Sequence, residues 1–510
     1  KALGNKEKIL IYGDYDVDGI TATCTLVDYL RSKGAKCEYY IPNRLTDGYG
    51  LTRPAMEQLY EQGTRLLITV DSGITANEEI AVARELGMQV VITDHHECHE
   101  NLPDAQAVVD CKRTDDTYPF SSLAGVGVAF KLICALEGDT LSVLDRYADL
   151  VALGTVADVM PIVGENRIIV AEGLKKLSVT ANIGLEMLLR EAGMKNRRLT
   201  SSTISYVLAP RINAAGRMEV DSDDENAAPS GGHSAVYLMV ARDEEVASEY
   251  GAFIDTCNQD RKNIDRSITQ EAHEIIESRP ELKNRKSTVI YNPKWMKGIV
   301  GIVASRLIET YYRPTVVLTM SNGYVTGSAR SVPGFDLYQA VESCADLLEN
   351  FGGHIYAAGL TMRPENVEEF TRRFNDYVEE HIDPEMLIPQ VEIDSELLFS
   401  DITHKFRTTL NRFQPFGPEN NAPVFVTRGV SNRGDARLVG AEQEHLKMDL
   451  IQGQKPNTSI PAIAFQQPTH YEHVRSGKCI DVCYSVVENH YRGTVSAQLR
   501  IKDIKKTPVK

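Results

Sequence analysis

Several features that define whole classes of protein are scarce in this chain of 510 residues. Its nine cysteines are scattered, odd in number and free of any Cys-x-x-Cys pair, which argues against a disulfide framework and against a zinc ribbon. No stretch approaches the ~18 uninterrupted apolar residues of a membrane span, and the first residues lack the apolar core of a signal peptide. We therefore expect a cytoplasmic protein with no membrane partner.

Positive charge is also in short supply, because 55 Lys and Arg stand against 71 Asp and Glu, for a net charge of -16. Proteins that bind nucleic acid indiscriminately usually carry a basic excess. The acidic net charge therefore disfavours such binding, but it does not exclude nucleic-acid binding at a local site. A run at 219–225 contributes five carboxylates, and we expect it to form a surface loop. Basic residues gather near it in the sequence, at Lys195, Arg197, Arg198, Arg211 and Arg217.

Three polar clusters each follow an apolar run that is typical of a buried strand. The clusters are Asp14-Tyr15-Asp16-Val17-Asp18-Gly19, Asp71-Ser72-Gly73 and Asp94-His95-His96, after the runs 9–11, 66–70 and 90–93. The carboxyl ends of parallel strands meet at the rim where ligands bind, so we expect these clusters to converge. Their oxygen and nitrogen atoms would repel one another without cations. The sequence therefore predicts a metal site with two ions, and with it phosphoester hydrolysis.

The residue types also indicate which metal is bound. In an extended segment Asp16 and Asp18 would point the same way and each hold one ion, while Asp71 from a neighbouring strand bridges the two. Carboxylates mixed with imidazole suit Mn²⁺ or Mg²⁺, and the imidazole favours manganese. Two ions about 3.5 to 4 Å apart would generate a hydroxide and neutralise the phosphate. A lone Asp-x-Asp before glycine is usually a turn, but three clusters at successive strand ends argue against that interpretation.

The segment from Asp94 to His99 allows a second interpretation, as a zinc cluster. Contiguous ligands cannot close a tetrahedron without a second pair, and no such pair with Cys/His spacing is nearby. We therefore expect one of the adjacent histidines to bind metal and the other to face the scissile phosphate, with Asp94 orienting its neighbour. Asp158 lies in the apolar run 152–161, where an unpaired carboxylate is costly, and it is a further candidate ligand.

Hydrophobic patterning predicts an α/β multidomain protein. Strand and helix patterns alternate from 9 to 110, helices dominate 126–176, and a charged helical stretch at 235–278 is typical of a long connecting helix. A smaller α/β domain follows, with helices at 300–311 and 337–348, a strand at 315–319 and a turn-rich segment at 352–359. Short alternating runs then indicate a C-terminal β-barrel or sandwich. The predicted domains are 1–200, 201–280, 281–385 and 386–510.

Four segments, 13–19, 71–73, 94–96 and 155–158, together resemble the motifs of the DHH phosphoesterase superfamily. Segments 210–218, 352–359 and 415–420 resemble the branch of that superfamily whose members are exonucleases specific for single strands. The resemblance covers essentially the whole chain, and the acidic insert after Met218 departs from it. It implies the metal ligands Asp16, Asp18, Asp71, His95 and Asp158, with Asp14 as an extra ligand and His96 as a catalytic phosphate contact.

The resemblance also implies a role for each domain. Residues 1–200 would be the DHH catalytic domain, 281–385 a DHH-associated domain that binds substrate, and 386–510 an OB-fold that binds single strands by base stacking. Glycine-rich turns at 327–331 and 352–354 would offer N–H groups to phosphate, although most such turns only reverse the chain. The expected substrate contacts are His96, Arg211, Asn213, Arg217, Ser328, Arg330, Gly352, Gly353 and His354. The aromatics available for stacking are Phe425, Phe465, Tyr484 and Tyr491, and alternation places at least two of them in the barrel core.

The activity implied by the resemblance is 5′ to 3′ degradation of single-stranded DNA to mononucleotides, in DNA repair and recombination. The expected partners are a single-strand-binding protein and a helicase, and we expect a monomer. One alternative is a DHH phosphodiesterase of oligoribonucleotides or cyclic dinucleotides, but such relatives are compact and lack a barrel-like tail. Another alternative is a replication scaffold whose catalytic site is inactive. The complete set of predicted ligands argues against it. Inorganic pyrophosphatase, a further relative, needs no groove for a long strand.

Overall fold

The computed structural model describes residues 1–43, 50–218, 231–453, 459–491 and 494–507. The chain forms two compact units, Lys1–Pro389 and Gln390–Lys510. The surface loop expected at 219–225 lies outside the described residues. Within the described ranges, none of the helices combines the length and the apolar character that a bilayer span requires.

The first unit begins with a parallel sheet of five strands in the order β2-β1-β3-β4-β5. Its strands are β1 (Lys8–Tyr12), β2 (Lys36–Tyr40), β3 (Leu66–Val70), β4 (Gln89–Asp94) and β5 (Ala107–Asp110). The apolar strands are buried on both faces, as parallel sheets require: Ile9 and Ile11 pack on one face, and Leu10 and Tyr12 pack on the other. The C-terminal ends of all five strands meet at one rim.

Helices cover both faces of this sheet. The helices of this region are α1 (Ala2–Asn5), α2 (Val17–Ser32), α3 (Arg53–Glu61), α4 (Asn77–Glu85), α5 (Gly125–Glu137), α6 (Thr140–Ala157), α7 (Gly164–Leu177) and α8 (Ile183–Glu191). Helices α2, α5 and α6 pack on the face of Ile9 and Ile11, and α3 and α4 pack on the face of Leu10. The helix-rich stretch predicted for 126–176 is present.

The predicted connecting helix is present as two helices. After α9 (Ser201–Thr203), a π-helical turn at Ile204–Leu208 and α10 (Ala209–Ala215), the chain forms α11 (Gly231–Val240) and α12 (Glu244–Glu277). Helix α12 is 34 residues long. Ile254 in its first half packs in the core of the parallel sheet, while Ile268 and Ile276 pack in the core of a second sheet. Helix α12 therefore links the two cores, and α13 (Pro280–Lys283) follows it.

The second sheet has the order β6-β7-β8-β10-β9. Its strands are β6 (Thr288–Tyr291), β7 (Thr315–Ser321), β8 (Tyr324–Arg330), β9 (Leu348–His354) and β10 (Ala357–Met362), with helices α14 (Val300–Tyr311), α15 (Leu337–Glu342) and α16 (Val367–His381). The helix predicted for 337–348 ends earlier, at Glu342, because Leu348 already pairs with β10. The segment predicted to be turn-rich, 352–359, is wrong in part, since it forms most of the β9–β10 hairpin.

The second unit is a small closed barrel. Its strands are β11 (Ser395–Glu396), β12 (Phe425–Asn432), β13 (Arg437–Val439), β14 (His445–Gln452), β15 (Ile460–Ala464), β16 (Ile480–Tyr491) and β17 (Thr494–Lys506), with helices α17 (His404–Asn411) and α18 (Tyr471–Arg475). Pairing runs from β12 through β16, β17, β15 and β14, and β14 pairs back to β12. This connectivity is that of a five-stranded OB-fold barrel.

The structure thus confirms the predicted α/β multidomain class with a C-terminal barrel. Phe425 and Tyr484 lie in the barrel core, where the Tyr484 hydroxyl and Thr427 Oγ1 are 2.7 Å apart. Two of the four candidate stacking residues are therefore core residues, as expected from alternation, while the Tyr491 side chain lies outside the described part. The three boundaries between the four predicted domains remain predictions.

Candidate metal centre

The first acidic cluster marks the start of a helix. The chain leaves β1 and enters α2 at Asp16, whose Oδ1 accepts hydrogen bonds from the N–H groups of Asp18 at 2.9 Å and Gly19 at 3.1 Å. The extended geometry predicted for Asp16 and Asp18 is therefore wrong: Asp16 is the N-cap and Asp18 lies in the first turn. An Asp that caps a helix satisfies N–H groups that would otherwise lack partners. The two carboxylates still belong to the same rim, but they lie in different ligand triads.

Asp18 is held at the start of a second helix. The N–H of Gly125 donates to its Oδ2 at 2.6 Å, and the N–H of Val126 donates to its Oδ1 at 2.9 Å. The N-terminus of α5 favours a negative charge at this position. A Cβ on Gly125 would lie 2.5 Å from the Cβ of Asp71, and a Cβ on Gly154 would lie 2.9 Å from Asp18 Oδ1. These two glycines allow the carboxylates to approach α5 and α6.

Sequence reasoning missed Gly125 and Gly154. Their contacts join segments that are distant in the sequence, and each glycine lies in an apolar helical run that ordinary helix packing explains equally well. The close approach to Asp71 shows why position 125 holds glycine, and at position 154 a Cβ would meet Thr21 and Val126 as well as Asp18.

His95 brings the remaining ligands together. Its Nε2 lies 3.0 Å from Asp71 Oδ1, 3.6 Å from Asp158 Oδ2 and 3.7 Å from Asp18 Oδ2. Three triads have ligand atoms within 4.8 Å of one another: Asp14, Asp16 and Asp71; Asp18, His95 and Asp158; and Asp71, His95 and His96. The structure therefore brings all six predicted ligands and His96 to one place, with Asp71 and His95 common to two triads each.

The electrostatics of this cluster are those of several carboxylates held close together at largely buried positions. Burial, reinforced by the neighbouring carboxylates, raises the pKa values of Asp18 and Asp71 well above the ordinary range. Burial and the charge of Asp16 raise the pKa of Asp158 to about 7. Burial lowers the pKa of His95 to about 4, which keeps the imidazole neutral and able to ligate. A divalent cation would stabilise the ionised carboxylates, because opposite charge reverses such shifts.

The donor set fits divalent metal. Carboxylate oxygens with one or two imidazole nitrogens suit Mn²⁺ and Mg²⁺. The two largely separate triads, Asp14–Asp16–Asp71 and Asp18–His95–Asp158, offer two positions, with the Asp71 and His95 atoms in close contact between them.

Asp94 positions His96. Asp94 Oδ2 accepts from the N–H of Ile74 at 2.9 Å, and its Oδ1 lies 2.7 Å from His96 Nδ1. Burial opposes the positive charge of His96, but the hydrogen bond to Asp94 and that carboxylate's charge prevail and raise the pKa of His96 to about 9. The His96 side chain is 43% exposed, whereas His95 is buried. The structure thus gives the adjacent histidines different surroundings, as their expected roles require.

Three of the predicted substrate contacts, Ser328, Arg330 and His354, lie close together on the second sheet. Arg330 Nη1 donates to Ser328 Oγ at 2.9 Å, and a Cβ on Gly301 in the first turn of α14 would lie 3.3 Å from Arg330 Nη2. Arg330 is in register with Ala357, and Ala357 with His354. Residues in register share a face, so Arg330 and His354 lie on one side of the sheet, roughly 10 Å apart.

Glycines form the floor of this face. Ser328 is in register with Gly359, and Gly359 with Gly352. A Cβ on Gly352 or Gly359 would meet no atom within 4 Å, so neither glycine is required by packing. We call this surface, formed by Ser328, Arg330, Gly352, His354 and Gly359, the glycine face.

The phosphate-binding turn predicted at 327–331 is wrong. Residues 327–330 lie in β8, between β7 and β10, so strand pairing uses their backbone N–H groups. Gly352, Gly353 and His354 likewise belong to β9, although β9 is an edge strand. The side chains of Ser328, Arg330 and His354 therefore remain as candidate contacts, while β8 offers no backbone N–H.

Two of the predicted substrate contacts in or after α10, Arg211 and Arg217, bond to other parts of the protein. The buried Arg211 donates from Nε to Asp255 Oδ1 at 2.9 Å and from Nη1 to the Val207 carbonyl at 2.7 Å, which fastens α10 to α12. Arg217 Nη1 donates to the Gly298 carbonyl at 3.1 Å, and Asn213 is half-buried on α10. Arg211 thus has a structural role that its sequence pattern did not reveal.

The barrel carries an exposed aromatic site. Phe465 is 41% exposed, with the Arg500 guanidinium 5.3 Å from its ring centroid and the His445 ring 4.9 Å away, edge-on. His445 and Arg500 were not singled out from the sequence, because only the pairing of β14, β15 and β17 brings them beside Phe465.

Comparisons with known proteins agree with this geometry. Models of the DHH family N-terminal domain, the DHHA1 domain and the RecJ OB domain match residues 8–155, 284–380 and 393–503. The single-stranded-DNA-specific exonuclease RecJ of Bacillus subtilis is 38% identical over 99% of this chain, which spans 62% of that relative. RecJ of Dickeya dadantii is 34% identical over 99% of this chain and 88% of the relative.

Solved structures agree as well. RecJ from Thermus thermophilus in complex with Mn²⁺ matches with a TM-score of 0.81 at 28% identity, covering 100% of this chain and 70% of that one. An exonuclease RecJ bound to manganese matches with a TM-score of 0.63 at 32% identity, covering 76% of this chain and 94% of that one. The chain therefore belongs to the RecJ family of single-stranded-DNA-specific exonucleases, within the DHH phosphoesterases.

Proposed function

We propose that this protein is a metal-dependent exonuclease that degrades single-stranded DNA from its 5′ end to mononucleotides, in DNA repair and recombination. One observation carries the proposal: the structure brings the carboxylates of Asp18, Asp71 and Asp158 to within 3.7 Å of His95 Nε2. The choice of single-stranded DNA as substrate follows from the relatives, which are named RecJ exonucleases. The choice of Mn²⁺ or Mg²⁺ follows from the RecJ structures that contain these ions.

In this proposal each ligand has a defined place. Asp14 and Asp16 would hold one Mn²⁺ or Mg²⁺, and Asp18, His95 and Asp158 would hold the second. Asp71, which forms a triad with Asp14 and Asp16 and lies 3.0 Å from His95 Nε2, would contribute to both. Bound cations of this kind supply an ionised water and neutralise phosphate charge. The α5 N–H groups keep Asp18 oriented. The hydrogen bond to Asp94 holds the cationic ring of His96 where it can make a charge-assisted contact with the scissile phosphate.

The glycine face would hold the strand. Arg330 and His354 contribute cationic or hydrogen-bonding side chains, Ser328 a hydroxyl, and Gly352 and Gly359 room for a sugar–phosphate backbone to approach the sheet. We assign Arg217, Asn213 and Gly353 supporting roles in this contact. Arg211 acts through its bond to Asp255, which holds α10 in position. In the second unit, Phe465 with Arg500 and His445 would stack on a base, as exposed aromatics do in single-strand binding.

The proposals for partners, oligomeric state and localisation rest on the family resemblance alone. A single-strand-binding protein and a helicase would supply and protect the substrate strand, and the protein would act as a monomer in the cytoplasm. The barrel and the RecJ relatives disfavour a phosphodiesterase of short oligoribonucleotides or cyclic dinucleotides, and the complete ligand set disfavours a scaffold without activity.

One assay tests this function. Single strands of DNA and RNA, labelled at the 5′ or the 3′ end, are incubated with Mn²⁺ or Mg²⁺ and sampled over time, with a blunt duplex and an EDTA reaction as controls. We expect the 5′ label on DNA to appear first as a mononucleotide, with no product from the EDTA reaction. Release of internal fragments, or preferential cutting of the duplex, would refute the proposal.

A further inference from the structure

The second sheet of the first unit has one open edge that lies in a groove. Among the described residues, β6 pairs with β7 alone. The N–H groups of Thr288 and Asn292 donate to the carbonyls of Pro314 and Leu318. In a parallel pair, alternate residues face the neighbouring strand, so the N–H and C=O groups of Val289 and Tyr291 point away from β7. They face a groove of about 940 Å³ that Val289 and Tyr291 help to line.

The groove lies beside the open edge of β6, where a further strand would pair. One face of the sheet is covered by α16 and the other by α12 and α14, so the edge of β6 lies in a slot between two helical layers. Ile275 and Leu282 line one wall, and Thr371 and Asn375 line the other. Val289 is only 6% exposed, because its side chain packs in the core on the α16 face. A strand added here would extend the sheet beyond β6, in the layer between α16 and α12.

The groove is basic at one end and acidic at the other. Helix α16 runs antiparallel to β6, because Lys286 pairs with Glu379 near the end of α16 and the Ser287 hydroxyl donates to Asn375. Arg279 and Arg285 therefore lie at the Ser287 end, and Glu365 and Glu368 lie at the Tyr291 end. In the part of the chain that the structure describes, none of these four side chains forms an ion pair, in contrast to Lys286 with Glu379 and Arg372 with Glu369.

We propose that this groove binds an extended segment of a partner protein, which adds to β6 as a further strand. The segment carries an acidic residue at the Arg279–Arg285 end, apolar or threonine residues in the middle, and a basic residue at the Glu365–Glu368 end. Backbone bonds to an edge strand supply affinity and flanking side chains supply specificity. The four residues of β6 set the two charges roughly 13 Å apart. This site is separate from the proposed nuclease function, since β6 and the β9 strand of the glycine face are at opposite edges of the sheet.

Four acetylated, amidated peptides of one length test the proposal, with the sequences Glu-Val-Thr-Val-Lys, Lys-Val-Thr-Val-Glu, Glu-Val-Thr-Val-Glu and Lys-Val-Thr-Val-Lys. The first would bind parallel to β6 and the second antiparallel. We expect one of these two to bind the full chain with a dissociation constant of about 1 mM or tighter, and at least about ten-fold more tightly than either peptide with a single sign of charge. The bound peptide should slow hydrogen exchange at the amides of Val289 and Tyr291.

Charge reversal at the acidic end provides the decisive comparison. The double variant Glu365→Lys, Glu368→Lys makes both ends basic, so the peptide with two glutamates should become the tightest binder. The matched control, Glu57→Lys with Glu61→Lys on α3, should leave the order of affinities unchanged. The proposal is overturned if no peptide binds, if the order of the four affinities does not depend on peptide charge, or if that order is unchanged in the charge-reversed variant. It is also overturned if single-stranded DNA displaces the peptide, because the groove would then be part of the nucleic-acid path.

Discussion

At the residue scale, the metal centre depends on small side chains as much as on carboxylates. Gly125 donates its N–H to Asp18 and lies against Asp71. A methyl group at this position would have to displace Asp71, which belongs to two of the ligand triads. The site is therefore sensitive to substitutions that change no charge and remove no ligand.

We expect Gly125→Ala to lower kcat by about a hundred-fold or more, because a shift of about 1 Å in a catalytic group can cost that much. Steady-state hydrolysis of a labelled single strand measures the effect. Gly127→Ala, on the same helix, is the control: its new Cβ would approach only the Leu123 side chain, at 3.3 Å, and helix propensity favours alanine by about 0.5 to 1 kcal/mol. Equal activity of the two variants would contradict the proposed role of Gly125.

The candidate ligands could be predicted from sequence, whereas the residues that hold them in place could not. The structure brings together Asp14, Asp16, Asp18, Asp71, His95 and Asp158, and their roles as ligands remain predictions. The first five follow the ends of strands, which is a local pattern, whereas Asp158 lies at the end of α6 and was predicted from its apolar surroundings. The N-cap of Asp16 was not foreseen, although Asp before a helix is a known start signal, because the segment was assigned an extended conformation. The contacts of Gly125 and Gly154 arise only when α5 and α6 pack on α2.

At the scale of elements, the glycine face is the feature that local sequence describes least well. Glycine is depleted in strands and enriched in turns, so 327–331 and 352–354 were assigned as turns. Pairing of β8 with β7 and β10 overrides that preference. The strand at 66–70 and the helix at 300–311 were predicted with the bounds observed, because their apolar spacing agrees with their tertiary surroundings.

Arg330→Ala should lower kcat/KM about ten-fold to a hundred-fold and leave metal binding unchanged. The lost contact is charge-assisted and worth roughly 1.5 to 3 kcal/mol. The test measures kcat/KM on a single strand with a free 5′ end, and Mn²⁺ binding by the same variant. Arg363→Ala is the matched control, since Arg363 follows β10 and pairs at the surface with Glu349, and it should change kcat/KM less than about two-fold. Unchanged kinetics for Arg330→Ala would exclude the predicted contact.

Gly359→Val tests the open floor of the same face. Nothing lies within 4 Å of the new Cβ and valine favours strands, so the melting temperature should not fall. The isopropyl group would nevertheless keep a sugar–phosphate backbone away from the sheet, and binding of single-stranded DNA, measured by fluorescence anisotropy, should weaken. A stable variant that binds as tightly as the wild type would show that the strand takes another path.

At the scale of the whole molecule, the chain combines a unit that holds the metal centre with a barrel unit that resembles a RecJ OB domain. Removal of residues 390–510 should weaken binding to long single strands and lower processivity, while hydrolysis of very short oligonucleotides is retained. Stacking contributes ~1 to 3 kcal/mol per base, so loss of the Phe465 site alone would be visible in an equilibrium titration. Long-strand affinity that survives the truncation would exclude the proposed role of the barrel.

We propose that the rim of the parallel sheet holds two divalent cations on which hydrolysis depends, with Asp71 between them. The most direct test measures Mn²⁺ bound per chain and hydrolysis of a 5′-labelled single strand on the same samples of wild type and Asp71→Asn. We predict two bound ions and full activity for the wild type. For the variant we predict fewer ions and a rate at least about a hundred-fold lower, because loss of a metal activator costs several kcal/mol of transition-state stabilisation. An Asp71→Asn protein that binds two ions and cleaves at the wild-type rate would exclude a role for Asp71 in holding the cations.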